Sequence, residues 1–350
     1  MWFFFALLVL LLWGAADLFY KKSAVENERY SHLKTAILVG FVMGLHAGVT
    51  LFFSYFSVGF DASFPFVTLT RTAFVYDFRN LLYYAPVSLM YAGSMIIGYF
   101  GLRYLELSVS SPIQNASGAA SFLMLFGFIG VRSALQGGGF WSALIDESGS
   151  LSAFVVTLIA VAVICLGVFL LGLFEKRKET HYLSAHDKKY KIGFVAFFMP
   201  ILYCIIDALG TALDGIYLDD FTTTPLVRVT EDSLETVANT SYELTFFLIA
   251  VVLFVYVVCI KKESFRPLKQ RDRALAAVFE TAGQMVYVYA MAANPLVAAP
   301  MIAAYCVVSV LLSRIFLKEK LTVAQYVSVA LVVLGIIALG ILEGLSESAA

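Results

Sequence analysis

Charge is scarce in this sequence. Only 14% of its 350 residues are charged while 61% are hydrophobic, against about 25% charged in a soluble domain. Mean hydropathy is +0.86. A chain of this composition cannot be solvated as a globule, which leaves a polytopic membrane protein. The net charge of −1 and the lack of a basic domain argue against a nucleic-acid partner. Motifs of catalysis and energy conversion are missing as well. There is no GxxxxGK[S/T] loop for an ATP-driven pump, no HExxH, no paired-cysteine metal site, no GxSxG and no stretch like a selectivity filter. No enzymatic activity is expected, and no cofactor other than protons as a coupling ion. The four cysteines, Cys165, Cys204, Cys259 and Cys306, lie scattered in apolar segments without CxxC or Cys/His spacing. They read as small buried hydrophobes. No basic n-region precedes the first apolar run at Trp2, so no cleavable signal is expected.

What is present is a series of apolar runs. Hydrophobic windows give ten, at about 2–20, 33–57, 81–105, 110–131, 151–174, 192–218, 240–260, 273–293, 295–316 and 321–342. Backbone polar groups in lipid must be paired within each segment, so the spans are predicted as helices. The clearest are the last two, within Tyr287–Gly340, joined by Phe316-Leu317-Lys318-Glu319-Lys320-Leu321-Thr322. Each is about twenty residues long, enough to cross a ~30 Å hydrocarbon core at 1.5 Å per residue. The connector is too short to be a domain, so this end of the chain is a helical hairpin.

Three connectors are long: 58–80, 132–150 and 219–239. With ten spans all three fall on one side. They carry Asp61, Asp77, Asp146, Glu147, Asp219, Asp220, Glu231, Asp232 and Glu235, but only four bases, Arg71, Arg79, Arg132 and Arg228. The other twenty of the 24 Lys and Arg residues lie at or near the opposite connectors. By the positive-inside rule the basic connectors are cytoplasmic, and both termini and the acidic connectors are outside. Asn239-Thr240-Ser241 fits a glycosylation pattern but abuts a span, and reads as chance.

The chain also repeats itself. A shift of 188 brings Tyr99 onto Tyr287, Pro112 onto Pro300, Ser121 onto Ser309 and Arg132 onto Lys320. A shift of 190 brings Asp17 onto Asp207 and Trp13 onto Tyr203. Five helices per half is an odd number, so the halves insert in opposite orientations, the arrangement that supports alternating access. The predicted fold is an all-α integral membrane protein of ten transmembrane helices in two inverted five-helix repeats. Its parts are 1–174, a basic cytoplasmic linker at 175–191, 192–342, and a tail at 343–350.

Ionisable groups inside spans are costly and usually face a cavity or a partner. Asp17 reads either as a cation or proton site, or as an interfacial carboxylate paired with Lys21 four residues on. Asp207 lies midway along its span, with Asp214 seven residues on and on the same face. It suits proton coupling or a cationic group, or else a structural bond to a neighbouring helix. Glu280, Gln284 and Tyr287 stand at i, i+4 and i+7, one face of the eighth span. They read as cavity lining or as interhelical hydrogen bonds. In the fourth span Gln114, Ser117 and Ser121 share a face with Asn115 beside it. Gln114 and Asn115 are the candidates for solute contact, and the serines read equally well as packing. Pro112 suits an N-terminal turn. Tyr99 and Tyr287, equivalent by the repeat, are expected to face each other. His46 is a candidate proton carrier or a satisfied core histidine.

Pro300 early in one span, the FLKEKLT end and the Gly-rich LGIIALG of 334–340 resemble the last two helices of EamA-type transporters, of the drug/metabolite transporter superfamily. The resemblance covers roughly 285–342. It implies a ten-helix carrier of two five-helix halves whose third, fourth, eighth and ninth helices help line the pore. Related carriers are often drawn with cytoplasmic termini, whereas the charge count here places them outside.

The expected function is a membrane carrier that moves a small organic metabolite by alternating access, facilitative or proton-coupled. Export is favoured by the resemblance alone. Asp207, Glu280 and Asp17 are the expected coupling groups, with Tyr99, Gln114, Asn115, Gln284 and Tyr287 as lining. The alternatives are a sugar-type uptake carrier and, from another class, a non-transporting scaffold or sensor that binds a partner through its acidic connectors. Expected partners are the solute and the bilayer, with monomer and homodimer both open. Few loops and short termini point to a bacterial plasma membrane.

Overall fold

The computed structural model describes residues 2–24, 28–56, 75–103, 107–147, 150–183, 191–266 and 270–349. Among them every regular element is helical. In chain order these are α1 (Trp2–Ser23), α2 (Ser31–Phe56), α3 (Arg79–Tyr83), α4 (Ala85–Gly101), α5 (Leu107–Asn115), α6 (Ser117–Leu135) and α7 (Phe140–Glu147). There follow α8 (Leu151–Leu183), α9 (Lys191–Leu218), α10 (Leu234–Phe254), α11 (Arg271–Ala293), α12 (Pro295–Ala303), α13 (Tyr305–Leu312) and α14 (Val323–Ala349). Short π-helical turns extend α10 over Val255–Ile260 and α13 over Ser313–Leu317.

Each of the ten predicted spans is helical, but among the described residues only eight helical segments are both long and apolar enough to cross a membrane. The two that fall short have physical reasons. The third span is broken at Tyr84, leaving α4 only 17 residues. The eighth, α11, has 23 residues but carries Arg271, Asp272, Arg273 and Glu280. Two boundaries also move. Helix α10 begins at Leu234 rather than near 240, so Asn239, Thr240 and Ser241 are buried helical residues and not a glycosylation loop. Helix α8 runs on to Leu183, into the stretch read as a linker. Residues 184–190, like Asp61 and Arg71 of the first acidic connector, lie outside the described residues.

Two short helices with an internal proline stand at positions that a shift of 188 relates. Helices α5 and α12 have nine residues each, and a shift of 188 superposes their first and last positions. Each holds its proline, Pro112 or Pro300, inside the helix, not in an N-terminal turn as predicted for Pro112. Proline removes a helical N–H and crowds the preceding turn, and four residues on the backbone tightens. At Ala116 φ and ψ are −59° and −13°, and at Ala304 they are −67° and −1°. The Ala119 N–H donates to the Ala116 carbonyl at 3.2 Å, and the equivalent Val307 N–H to the Ala304 carbonyl at 2.9 Å. Both are i→i+3 bonds. The start of α12 is set by Asn294, whose side chain accepts from the Val297 N–H at 3.2 Å, with Pro295 at the first helical position.

Packing follows fixed pairs. Helix α1 lies along α11, and α9 along α4; α2 pairs with α10, α8 with α14, and α6 with α12. Large apolar side chains such as Phe4, Leu45, Leu123 and Leu334 stand outward and exposed on the spans, as expected of a surface solvated by lipid. The polar residues turn inward, to the centre.

Candidate functional site

All eight residues singled out from the sequence as substrate or coupling groups line one central cavity: Asp17, Tyr99, Gln114, Asn115, Asp207, Glu280, Gln284 and Tyr287. The cavity is narrow, about 70 Å³, room for a handful of waters at roughly 10–15 Å³ each. Helices from α1 to α13 contribute to it, including both proline-broken ones, through Gln114, Asn115, Ala299 and Ile302.

The carboxyl groups are held by hydroxyls from other helices. Asp17 of α1 accepts from Ser111 of α5 at 2.6 Å and Ser309 of α13 at 2.7 Å. It is buried, which removes the interfacial reading, and Lys21 donates to the Leu102 carbonyl at 2.9 Å. Asp207 of α9 accepts from Ser117 of α6 at 2.7 Å. Glu280 of α11 accepts from Tyr20 of α1 at 3.1 Å. Asp214, one face-repeat beyond Asp207, is fully buried behind the cavity and accepts from Tyr84. No Lys, Arg or His is among the described residues that line the cavity. Its acids therefore have hydroxyl donors and no countercharge.

Aromatic rings form the rest of the wall. Trp13 packs on Tyr287 with centroids 5.1 Å apart and meets Tyr305 edge-on at 5.8 Å. Tyr203 and Tyr242 complete the aromatic lining. The expected pairing of Tyr99 with Tyr287 is not what forms. The Tyr287 hydroxyl bonds to that of Tyr91 at 2.7 Å, and Tyr91 donates to Thr211 at 3.0 Å. Tyr99 instead packs on Tyr20, centroids 4.5 Å apart. Gln114 and Asn115 are partly engaged within α5: the Gln114 amide donates to Ser110 at 3.1 Å and that of Asn115 to the Ser111 carbonyl at 2.8 Å. The Gln284 amide nitrogen is buried with no hydrogen-bond partner among the described residues. His46 is not at the cavity; its Nδ1 lies 2.8 Å from the carboxylate of Glu243.

The basic end of the bundle is tied by charge. Arg273 of α11 reaches the Ser23 carbonyl at 3.1 Å, Ser31 at 2.7 Å and Glu28 at 2.5 Å. Glu28 also holds Lys34 at 2.6 Å, so one carboxylate links the ends of α1, α2 and α11. Burial acts to raise the Glu28 carboxyl, but the hydrogen bonds and charges of Lys34 and Arg273 outweigh it and hold the group below the ordinary carboxylate range. A depressed carboxyl stabilises the fold at pH above its unfolded value, and that contribution is lost as the pH falls through the folded one. The thermal midpoint of the purified protein should therefore drop with acidification below the ordinary glutamate range. In Glu28→Gln it should start lower and fall less steeply. Parallel curves would show that this link carries no stability.

Fold and cavity together define a multi-pass helical membrane protein with an acidic, aromatic-walled chamber at its centre. Residues 222–341 match the model of the EamA-like transporter family, a stretch that takes in all but the last residue of the 285–342 segment whose resemblance was read from the sequence. The match covers 120 of the 350 residues, and over that stretch the chain is similar to EamA-like transporters. A solved structure titled "Crystal structure of protein" shares the fold, with a TM-score of 0.54 and 13% identity over 97% of this chain and 96% of that one. No curated protein matches the chain.

Proposed function

We propose that this chain is a secondary carrier that exports a small organic metabolite bearing an amine or other cationic group, by alternating access of two inverted five-helix halves. The observation that carries the reading is the chamber itself: Asp17, Asp207 and Glu280 converge on one space without a basic side chain. Burying unpaired charge is expensive, so such a site calls for a cation or protons to complete it. The aromatic walls add the cation–π attraction that favours an organic cation over a bare one.

The inverted halves are supported by the packing. Exchange of the two halves maps α1 on α11 onto α9 on α4, and α1 on α13 onto α9 on α6. It leaves the pairs α2–α10 and α8–α14 in place and maps α6 on α12 onto α13 on α5. The carboxylates follow the same rule: Asp17 of the first half is held by Ser309 of the second, and Asp207 of the second by Ser117 of the first. Each half can then adopt the other's conformation and carry the shared site from one face to the other. Coupling to protons would use the same carboxylates in the empty return step.

The test is an inventory of solutes inside and outside cells that overexpress the intact chain. An amine-bearing metabolite moved outward supports the reading. A neutral sugar moved inward would replace it with the uptake carrier that the amides and rings of Gln114, Gln284 and Trp13 also suit. No displaced solute would shift weight to a scaffold or sensor that works through its acidic connectors. Orientation is tested separately. With Cys259 replaced by Ser, an impermeant thiol reagent on intact cells should label Thr222→Cys in an acidic connector and spare Lys262→Cys in a basic one. The reverse pattern would invert the topology.

A further inference from the structure

A second buried polar centre lies apart from the chamber and shares no lining residue with it. Glu243 of α10 is 0% exposed, with both carboxylate oxygens 2.8 Å from His46 Nδ1 on α2. Asn239 stands one turn back from it on α10. A carboxylate only accepts, so the Asn239 amide oxygen can draw no hydrogen bond from it. That oxygen is buried without a hydrogen-bond partner among the described residues, on a side chain only 7% exposed. A buried acceptor left unsatisfied is costly.

Asn239 and His46 form the polar floor of a mostly apolar groove of about 520 Å³ between α2, α10 and α11, with Thr50, Thr236, Thr281 and Tyr289 also lining it. Leu45, Val49, Val278 and Met285 are among its walls. Leu45 is 69% and Val278 52% exposed, on spans whose outer surface meets lipid, so the groove opens sideways onto the bilayer. Its volume is that of a site for a ligand of ordinary size, roughly 300–1,000 Å³.

We propose that this groove binds a membrane amphiphile whose head donates hydrogen bonds and carries no negative charge, a long-chain amine or alcohol. The chain lies along the apolar walls, and the head gives a hydrogen bond to Asn239 Oδ1. An anionic head is disfavoured because the Glu243 carboxylate lies directly behind His46, and a head without a donor leaves the amide oxygen unpaired. Entry is from the lipid, independent of the central pathway, so the inference stands or falls apart from the carrier reading.

The test uses the full chain in lipid nanodiscs and four photoreactive probes with one alkyl chain and different heads: amine, hydroxyl, methyl ether and carboxylate. Crosslinks are mapped by mass spectrometry. The amine and hydroxyl probes should label α2, α10 and α11 peptides of the groove about tenfold more than the other two, the size expected of one hydrogen bond to a buried acceptor. Labelling by the amine alone would assign the site to long-chain amines, and by both to donor heads generally. Asn239→Leu should erase the preference, and Ala282→Phe, which fills the groove, should remove labelling by the donor probes. Equal labelling by all four heads, or a preference that survives Asn239→Leu, overturns the proposal. If Asn239→Leu fails to insert, labelling that persists in Ala282→Phe overturns it instead.

Discussion

Cells carrying Asp207→Asn at the membrane level of the intact chain are expected to move the solute at least ~30-fold more slowly. The estimate starts from the loss of a charge that faces a cation in a desolvated site, about 2–5 kcal/mol, where each 1.4 kcal/mol is tenfold. Asn keeps the shape and can still meet Ser117, so insertion and folding should survive. What it removes is the negative charge and the proton-binding site. Glu280→Gln should act in the same direction, because the amide can still pair with the Tyr20 hydroxyl that the carboxylate accepts now. The control is Asp77→Asn. Asp77 sits outside the spans and pairs with Arg79 at 2.7 Å, so transport should not change. Transport and pH dependence that survive Asp207→Asn would remove this residue from the mechanism. Loss in Asp207→Asn, Glu280→Gln and Asp77→Asn alike would point to a general defect rather than to the chamber.

The chamber was legible in the sequence to the extent that its residues were rare. A carboxylate or amide inside an apolar span must find a partner, so Asp17, Asp207, Glu280 and Gln284 stood out by cost alone, and the i, i+4, i+7 spacing put Glu280, Gln284 and Tyr287 on one wall. Tyrosine gives no such signal. In a membrane chain it reads first as an interfacial belt residue, so Tyr20, Tyr203, Tyr242 and Tyr305 were not singled out, although all four line the cavity. Which tyrosine meets Tyr287 depends on where two helices cross, and the repeat could propose Tyr99 but not decide against Tyr91. The ambiguity of Asp17 had the same root. Its distance along α1 from Lys21 allowed an intrahelical pair, and only the approach of α5 and α13, bringing Ser111 and Ser309, settles its partners. The Glu243–His46 pair was half visible: His46 was noticed, and Glu243 is an acid in an otherwise apolar run that the same cost argument would have caught. The breaks at Ala116 and Ala304 were signalled by prolines four residues earlier, but a single proline is equally at home in a first turn. The equivalence of Pro112 and Pro300 was the stronger clue, since two prolines at matched positions in two long apolar spans cannot both be explained by helix starts.

Those matched breaks bring α6 and α12 together at the centre of the molecule, and the second large effect is expected there, from Gly118→Ala. A β-carbon at position 118 would stand 2.3 Å from that of Ala303, 3.2 Å from Pro300 Cα and 3.3 Å from the Ala299 carbonyl. The first distance is impossible and the obstacle is a methyl fixed to a helix backbone, so the helices must part. Overpacking of this kind costs about 1–3 kcal/mol. At roughly 2–4 °C per kcal/mol for a large domain, the thermal midpoint should fall by several degrees. Transport should fall further, because Gly118 and Ala303 both line the cavity and a widened crossing displaces Gln114 and Asn115 with it. Gly127→Ala on the same helix is the control: its new methyl meets nothing within 4 Å, and the midpoint should hold. The decisive variant is the pair Gly118→Ala with Ala303→Gly. Taking away the opposing methyl leaves only the two longer, tight but bearable contacts, so stability should recover in part, the non-additivity expected of two residues in direct contact. If the double variant is as unstable as the sum of its parts, the contact between α6 and α12 is not what Gly118 serves, and the close crossing of these two helices has to be explained some other way.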